Sequence, residues 1–267
     1  MIEVRAPAKV TLSLRVLGTR ADGFHELDAL TVSASSPADD LVLEDAPVTT
    51  LALSGPFAAG VPTDATNLVS RALQRRERSM AVRLRKGIPH GAGLGGGSAD
   101  AAAVLRVTGG TAGDAAALGA DVPFCLHGGP AWMRGRGEVL EAIAGLPPLE
   151  LLLVAPEFGC ATPAVYRAWD ELGGPGATRE VRSPAGYPGP FGNDLEAASE
   201  HVEPRLRAFR DDLEHAIGRD ALLCGSGSAF VAWFDTAGAA DEASGRAGER
   251  FGTTRVWRAR VMGTMHE

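Results

Sequence analysis

The stretch "KGIPHGAGLGGGSADAAAVL", residues 86–105, joins a glycine-rich loop to a run of small, helix-forming residues. Five of the seven residues from Gly91 to Gly97 are glycine. Glycine in a loop costs backbone entropy, so this composition is best explained where the backbone must approach another group closely. The alanines that follow favour a helix, and the free N–H groups of a first helical turn attract an anion. The stretch therefore predicts a phosphate-binding loop, with a flexible surface loop as the alternative.

The loop does not follow either of the two commonest phosphate-binding patterns. No lysine follows these glycines, so GxxxxGK[ST] is absent. Gly91, Gly93 and Gly96 satisfy GxGxxG, but a dinucleotide fold also requires an early βαβ unit and an acidic residue after the next strand. Asp114 lies among glycine and alanine residues with no predicted strand before it. A nicotinamide-dependent oxidoreductase is therefore disfavoured.

The composition is that of an acidic chain with enough apolar residues for one large domain or two smaller ones. A net charge of −7 gives no electrostatic reason to expect nucleic-acid or membrane binding. No apolar run reaches the roughly 18 residues of a membrane span, and the first residues lack a signal-peptide core, so we expect a cytoplasmic protein. The cysteines are far apart, which predicts reduced thiols, and the scattered histidines predict no metal site.

Lysine is rare in this chain, which has 24 arginines and only Lys9 and Lys86. An ammonium and a guanidinium are not interchangeable, so these two positions indicate sites where a compact ammonium is required. Chance retention of two solvated lysines is the alternative.

Hydrophobic periodicity predicts a strand-rich first half. Strands are expected over residues 2–17 with a break at Pro7, over 30–35 and 40–45 with a turn between them, and over 80–88. A helix within 63–79 should begin at a threonine or aspartate cap. Another helix is expected over 98–107, with Ser98 as its N-cap. Further predicted elements are a short helix within 109–124 and paired strands over 131–143.

The pair Pro147-Pro148 marks a predicted boundary between domains 1–147 and 148–267. In the second part, strands alternate with helices, which favours an α+β domain with a split βαβ pattern. The expected elements are the strands 149–155, 220–225, 230–235 and 254–261, the helices 162–172, 193–201, 204–217 and 239–251, a loop over 173–192 and a tight turn over 225–229.

Five stretches of this sequence resemble the GHMP small-molecule kinases. Residues 89–98 match their second motif, Pro-x3-Gly-Leu-Gly followed by small residues. Residues 6–27, 119–138, 162–166 and 225–230 match further motifs in the same order, so the resemblance covers most of the chain. It implies a two-domain α+β fold. The N-terminal ATP-binding domain would have a mixed sheet with helices, like domain 2 of ribosomal protein S5, and a ferredoxin-like C-terminal domain would close the substrate cleft.

The resemblance also implies an activity, the transfer of the γ-phosphoryl group of ATP to an alcohol, with Mg²⁺ expected alongside the nucleotide. The extended form "GAGLGGGSADAA", residues 91–102, is most similar to the branch that phosphorylates the 2-hydroxyl of a cytidine diphosphate-linked methylerythritol in non-mevalonate isoprenoid biosynthesis. Alternatives are a GHMP kinase acting on homoserine, mevalonate phosphate or a sugar, and a non-catalytic nucleotide-binding module. A monomer or weak homodimer is expected.

Each role carried over from the resemblance falls on a matching residue. Asp121 would accept or orient the proton of the hydroxyl, and Lys9 beside it would keep that carboxylate ionised and neutralise charge on the phosphoryl group. The expected nucleotide-binding residues are Asn67, near the adenine, and Pro89, Gly91, Ala92, Gly93, Leu94, Gly95, Gly96, Gly97 and Ser98.

The acceptor would be bound by a second set of residues. Phe24 and Tyr166 would stack on the cytosine, and His25 would hydrogen-bond it. Thr11, Lys86, Thr162 and Pro163 complete the expected acceptor site.

Three positions depart from the family pattern. Thr11 replaces an asparagine, Phe24 replaces a tyrosine, and Ala99 replaces a serine that would have offered a contact to magnesium. The link from Val107 to Leu118 is also shorter than the family pattern implies.

Overall fold

The computed structural model describes residues 1–174 and 176–263. Two β-sheets and their covering helices make up the described chain, and the predicted α+β class is confirmed. The strands of the first sheet are β1 Ile2–Thr19, β2 His25–Asp45, β3 Thr50–Ser54, β4 Met80–Arg85, β5 Ala131–Gly135, β6 Val139–Ala142, β8 Glu180–Val181 and β9 Phe191–Asn193. Those of the second sheet are β7 Glu150–Val154, β10 Leu222–Leu223, β11 Phe230–Phe234 and β12 Val256–Arg260.

The first sheet is mixed and has the order β3-β4-β2-β1-β9-β8, with β5 joined to β2 and β6 joined to β5. The second sheet is antiparallel and has the order β10-β11-β7-β12. The helices are α1 Leu68–Arg75, α2 Gly96–Thr108, α3 Ala112–Leu118, α4 Val122–His127, α5 Thr162–Glu171, α6 Glu196–Val202, α7 Arg205–Ile217 and α8 Ala237–Phe251, and a 3₁₀ turn spans Thr253–Arg255.

The predicted turn between residues 35 and 40 is wrong, because β2 runs through it as one strand. The pairing of β1 with β2 shifts register there: Pro7 lies opposite Ala38, but Lys9 lies opposite Ser33. The turn-forming residues therefore make an irregularity within a continuous strand, and β1 likewise continues through Pro7. Pairing on both sides keeps the ladder together, and such an irregularity is a site where a strand tolerates proline.

The predicted loop over residues 173–192 is also only partly correct. It contains β8 and the first residues of β9, which are too short to give a periodic signal. Strand β9 pairs in parallel with β1, with Ser13 opposite Gly192. A segment from beyond residue 147 thus completes the first sheet, while the division at residue 147 stays a prediction.

Strand β1 is buried on both faces, and its alternation determines which side chains reach each face. Ala8, Val10 and Leu12 enter a core between the two sheets, together with Leu151 and Leu153 of β7. The intervening side chains, Lys9 and Thr11 among them, therefore lie on the opposite face. This is the face beside α2, which contacts β1.

Helix α2 is buried along the whole of residues 99–105. Its alanines have little side-chain bulk, so the helix can lie close to the sheet. The predicted start at Ser98 is wrong: α2 begins at Gly96, and its N-cap residue is Gly95 with a left-handed φ of 69°.

Helix α1 begins after Asn67, not after the predicted threonine or aspartate. The Asn67 side chain accepts a hydrogen bond from the Val69 N–H at 2.8 Å. The single helix expected within 109–124 is two short helices, α3 and α4, and Asp121 is the N-cap residue of α4. Among the helices of the described residues, none has the length and apolar character needed to cross a bilayer.

Candidate active site

The loop between β4 and α2 requires glycine at positions where the backbone is left-handed and crowded. Gly91, Gly93 and Gly95 have φ values of 70°, 74° and 69°. A Cβ on Gly93 would lie 2.1 Å from the carbonyl oxygen of Cys224, and one on Gly95 would lie 2.6 Å from Cγ of Lys9. Any side chain at these two positions would therefore displace the neighbouring backbone or the lysine.

Hydrogen bonds from both halves of the chain hold this loop. The Lys9 N–H donates to the Leu94 carbonyl at 3.0 Å, the Ala229 N–H to Ala92 at 3.0 Å, and the Cys160 N–H to Gly91 at 3.2 Å. Three of the loop carbonyls are thus paired, while no side chain caps the first turn of α2. The N–H groups of that turn have no partner within the helix, which suits them to an anion.

Lys9 and Asp121 form an ion pair next to the glycine loop. Nζ of Lys9 lies 3.3 Å from Oδ2 of Asp121. Lys9 is only 8% exposed, so its ammonium has a fixed position. The Asp121 side chain makes no capping hydrogen bond to α4 and is 36% exposed. It therefore has free carboxylate surface for another ligand.

Lys86 lies within a buried cluster beneath the same loop. Its ammonium donates to the carboxylates of Asp39 and, at 2.6 Å, Asp100. Asp39 also accepts the N–H groups of Gly87 at 2.6 Å and Ile88 at 2.9 Å. The cluster therefore connects β2, the start of the loop and helix α2.

Burial dominates the titration of this cluster. It raises the pKa of Asp100 to about 8, against the opposing attraction of the Lys86 ammonium. Burial alone lowers the pKa of an ammonium, but the two carboxylates more than offset it, and the pKa of Lys86 is raised. Oδ1 of Asp100 is buried with no hydrogen-bond partner in the described chain, so it can carry the proton that the raised pKa retains.

Aromatic and polar side chains form two close pairs near the start of β2. The His25 ring lies 4.7 Å from the Tyr166 ring, and the Arg136 guanidinium lies 4.7 Å from the centre of the Phe24 ring. Phe24 is 51% exposed, so it has accessible surface for a further planar group. Burial raises the pKa of the Tyr166 phenol, so its hydroxyl stays neutral.

The tight turn over residues 225–229 meets the start of α5. The hydroxyls of Thr162 and Ser226 are 2.8 Å apart, and a Cβ on Gly225 would lie 3.8 Å from Nζ of Lys9. The turn therefore contacts the start of α5 and also lies close to the Lys9 ammonium.

All nineteen site residues predicted from the sequence line one cavity of about 810 Å³. The cavity brings together residues from both halves of the chain. Those residues are Lys9, Thr11, Phe24, His25, Asn67, Lys86, Pro89, Gly91, Ala92, Gly93, Leu94, Gly95, Gly96, Gly97, Ser98, Asp121, Thr162, Pro163 and Tyr166.

Some of these side chains have structural partners as well. Asn67 uses its carbonyl oxygen to cap α1 and its amide to donate to Pro62 at 2.7 Å. The Thr11 hydroxyl lies 3.5 Å from that of Thr31. The ligand contacts expected of Asn67, Thr11 and Lys86 stay predictions.

Sequence reasoning missed Asp39, Asp100, Arg136 and Asp170. The last of these has its Oδ1 2.8 Å from Nε2 of His25. A signal existed for Asp170, because it follows Tyr166 by four residues on a predicted helix and so lies on the same face. Arg136 lies within a matched motif but was not singled out. No local pattern pairs Asp39 with Lys86, 47 residues away, since a sheet register brings them together.

The three cysteines are buried and free. Burial raises the pKa of Cys125 and of Cys224 to about 12, and that of Cys160 to about 11. These thiols are therefore protonated at neutral pH and poor nucleophiles. Across residues 1–174 and 176–263, no group of three or more His, Cys, Asp or Glu side chains is placed to hold a metal ion.

Residues 62–129 match the family described as "GHMP kinases N terminal domain". A 4-diphosphocytidyl-2-C-methyl-D-erythritol kinase from Paracoccus denitrificans is 38% identical over 247 residues, which are 90% of this chain and 90% of that protein. The crystal structure of a 4-(cytidine 5'-diphospho)-2C-methyl-D-erythritol kinase superposes with a TM-score of 0.77 at 35% identity, over 98% of this chain and 100% of that one. Mevalonate kinase of L. major, at 13% identity and a TM-score of 0.67 over 98% and 96% of the chains, shares the fold.

Proposed function

Because the chain belongs to the 4-diphosphocytidyl-2-C-methyl-D-erythritol kinases, a branch of the GHMP kinases, we propose how its own residues carry out the transfer of a phosphoryl group from ATP to the 2-hydroxyl of that substrate. The enzyme is an ATP-dependent phosphotransferase with a small-molecule acceptor. Such a transfer depends on positioning and on charge neutralisation more than on covalent chemistry by the protein.

The observation that carries the proposal is the ion pair of Lys9 and Asp121 beside the glycine loop. The first turn of α2 offers unpaired N–H groups to the phosphates of ATP. Lys9 contacts this loop through its backbone and its side chain, so its ammonium can neutralise charge that builds on the transferred group. Asp121, 3.3 Å from that ammonium, accepts or orients the proton of the attacking hydroxyl.

The acceptor is held at the aromatic end of the cavity. Phe24 and Tyr166 flank the cytosine, and His25 hydrogen-bonds it. Thr162 and Pro163, at the start of α5, contact the remainder of the acceptor, while Asn67 lies on the adenine side. The common cavity supports these roles, because the residues assigned to both substrates line it together with Lys9 and Asp121.

Magnesium enters with the nucleotide as part of the substrate, in this proposal. Mg²⁺ keeps several waters and binds substrate phosphates with few protein ligands, which suits a cavity where the described residues form no cluster of metal-binding side chains. When bound, it neutralises charge on the phosphates. We further propose a cytoplasmic enzyme that is a monomer or a weak homodimer.

The test is a coupled assay of ADP release with 4-diphosphocytidyl-2-C-methyl-D-erythritol. Asp121→Asn should lower kcat by roughly 10²- to 10⁴-fold, the usual contribution of a general base, with the KM for ATP largely unchanged. Asp235→Asn is the matched control, because this aspartate is exposed outside the cavity. Unchanged turnover by Asp121→Asn would remove the assigned role, and turnover of homoserine or mevalonate phosphate in place of this substrate would favour another GHMP kinase.

A further inference from the structure

A second cavity borders the segment that joins β7 to α5. Its volume is about 550 Å³, within the range of roughly 300–1,000 Å³ that is typical of small-molecule sites. This segment, the start of α7, the end of α8 and the 3₁₀ turn line it, and none of its lining residues belongs to the active-site cavity. The roles proposed for phosphoryl transfer and for the two substrates therefore leave this cavity unused.

Three phenylalanine side chains give the second cavity an apolar lining. Phe158 lies in the joining segment, Phe209 in α7 and Phe251 at the end of α8. The Phe209 ring lies 4.7 Å from the Phe251 ring and 6.3 Å from the Phe158 ring. All three residues are only partly buried, so their rings retain apolar surface that a ligand can cover.

Arg255 supplies a positive charge that is fixed at this cavity. Its guanidinium donates to the Pro156 carbonyl at 2.8 Å and lies 5.2 Å from the centre of the Phe57 ring, and its own carbonyl accepts from the Ala155 N–H at 3.0 Å. A guanidinium has five N–H donors. In the described part of the chain, no carboxylate forms an ion pair with this one. Arg255 can therefore bind an anion without first losing an internal ion pair.

The other two charged residues of the lining contribute less to an anion site. Arg205 lies 4.2 Å from the centre of the Phe158 ring, but Glu203 already accepts from its guanidinium at 2.6 Å and 2.7 Å. Glu157 carries an opposing charge, but it is exposed, and water and salt screen an exposed charge strongly. The preference of the cavity for an anion therefore depends mainly on Arg255.

We infer that this cavity is a second ligand site, which takes a small organic phosphate or carboxylate with an apolar body. The Arg255 guanidinium binds the anionic group, since its planar fork of donors matches either anion. The apolar body covers the phenylalanine rings, which removes apolar surface from water. The inference goes beyond the proposed function, because none of these residues takes part in phosphoryl transfer.

The ligand binds close to the nucleotide but outside its cavity. The joining segment contacts the glycine loop through the Cys160 N–H, which donates to the Gly91 carbonyl at 3.2 Å. The Ser228 hydroxyl, from the tight turn, donates to the Phe158 carbonyl at 2.6 Å. This segment therefore separates the two cavities, and we expect both to be occupied at the same time.

Calorimetric titration with 1-naphthyl phosphate tests the site while a non-hydrolysable ATP analogue saturates the active site. 1-Naphthol and inorganic phosphate each have only one half of the required chemistry, so both should bind at least tenfold more weakly than this probe. Arg255→Gln should weaken the binding of 1-naphthyl phosphate at least tenfold, the effect of losing a hydrogen bond to a charged group. A parallel titration with 1-naphthoate shows whether the site prefers a phosphate or a carboxylate.

Arg207→Gln is the matched control, because it removes the same charge from an exposed position of α7 outside the cavity. Arg205→Gln is a second variant in the lining: its side chain is 65% exposed, so the fold should be retained, and binding of the probe should weaken by a few-fold. Glu157→Gln should instead strengthen binding roughly twofold, because it removes a repulsive surface charge.

Three results overturn the inference. One is a wild type that binds 1-naphthyl phosphate no better than 1-naphthol or inorganic phosphate, and another is competition between this probe and the ATP analogue. The third is equal binding by Arg255→Gln and Arg207→Gln or, where Arg255→Gln does not fold, by Arg205→Gln and Arg207→Gln. A wild type that binds the probe but does not phosphorylate the cytidine substrate contradicts the proposed function alone, so the two failures are distinguishable.

Discussion

At the scale of single residues, Lys9 shows why this arginine-rich chain retains a lysine. Its stem lies against Gly95, where even a Cβ would approach Cγ to 2.6 Å. Its ammonium pairs with Asp121 in a space that leaves the residue 8% exposed. A planar guanidinium needs a wider space than a compact ammonium. Lysine at this position is therefore a requirement of space as well as of charge.

Lys9→Arg should keep the charge and still lower kcat by roughly 100-fold, because a displacement of about 1 Å at the reacting groups has an effect of that size. The measurement is kcat with both substrates saturating. Arg5→Lys, an exposed position on the same strand, is the reverse exchange and should leave kcat unchanged. Full activity in Lys9→Arg would show that charge alone is needed.

Asp100 gives the enzyme a predicted pH dependence of stability. Its pKa is raised to about 8 from an ordinary 3.8, so the folded state binds a proton that the unfolded state releases. The resulting stabilisation is complete below about pH 4 and decreases as pH rises towards 8, by at most about 1.4 kcal/mol per pH unit. Above pH 8 it is absent.

Urea unfolding of wild type and Asp100→Asn at intervals from pH 5 to pH 9 measures this dependence. The variant cannot ionise, so the wild type should lose stability relative to it as pH rises through this range. If the free energy of unfolding changed with pH in the same way in both proteins, Asp100 would not be protonated in the folded state.

At the scale of elements, the loop and helix α2 act as one unit. The loop can bend closely around Lys9 because its glycines adopt left-handed conformations, and α2 can lie close to β1 because its buried residues are small. Capping differs between the helices: α1 and α3 begin with side-chain caps, from Asn67 and Thr111, whereas α2 has none. Among the helices of the described residues, α4, α5, α6 and α7 also lack a side-chain cap, so the missing cap leaves the first turn of α2 open to a phosphate but does not single that helix out.

Gly93→Ala should destabilise the enzyme by about 2–4 kcal/mol and raise the KM for ATP. The new Cβ would lie 2.1 Å from the Cys224 carbonyl, on a residue with a φ of 74°. Thermal unfolding and KM measurements test both effects. Gly245→Ala, within α8 and with nothing near its Cβ, should instead stabilise the protein by about 0.5–1 kcal/mol. Equal effects of the two exchanges would contradict the steric argument.

At the scale of the whole molecule, Asn193 joins the two sheets. It belongs to β9, opposite Leu14 of the first sheet. Its amide donates to the carbonyls of Leu223 at 2.9 Å and Gly225 at 2.7 Å, and its oxygen accepts from the Leu195 N–H at 2.9 Å. The residue is 2% exposed, so water cannot replace these partners if they are lost.

Asn193→Ala should lower the free energy of unfolding by about 2–4 kcal/mol, because it leaves buried backbone groups without partners. Asn193→Asp has nearly the same shape but offers an acceptor to two carbonyl oxygens, so it should be at least as destabilising. Urea unfolding followed by tryptophan fluorescence measures both. A stable Asn193→Asp protein would show that the amide donors contribute little.

Much of the fold was predictable because periodicity and turn chemistry are local properties. The strand β7, the helices α5 and α7 and the hairpin of β5 with β6 follow directly from such patterns. The long strand β2 was not predictable: residues 35–40 have the composition of a turn, and only pairing with β1 on both sides keeps them in the sheet. Strands as short as β8 and β9 carry no periodic signal, and long-range pairing alone forms them.

The sequence by itself determined that a glycine-rich loop begins a helix, that two lysines are retained among many arginines, and that these motifs match a kinase family, since residue type and spacing along the chain carry that information. Only the tertiary structure decided that the Lys86 ammonium pairs with Asp39 and Asp100, and that Asp170 holds His25. The physical reason is that a buried charge or a side-chain hydrogen bond depends on its neighbours in space, and sheet register and helix packing bring those neighbours from distant parts of the chain.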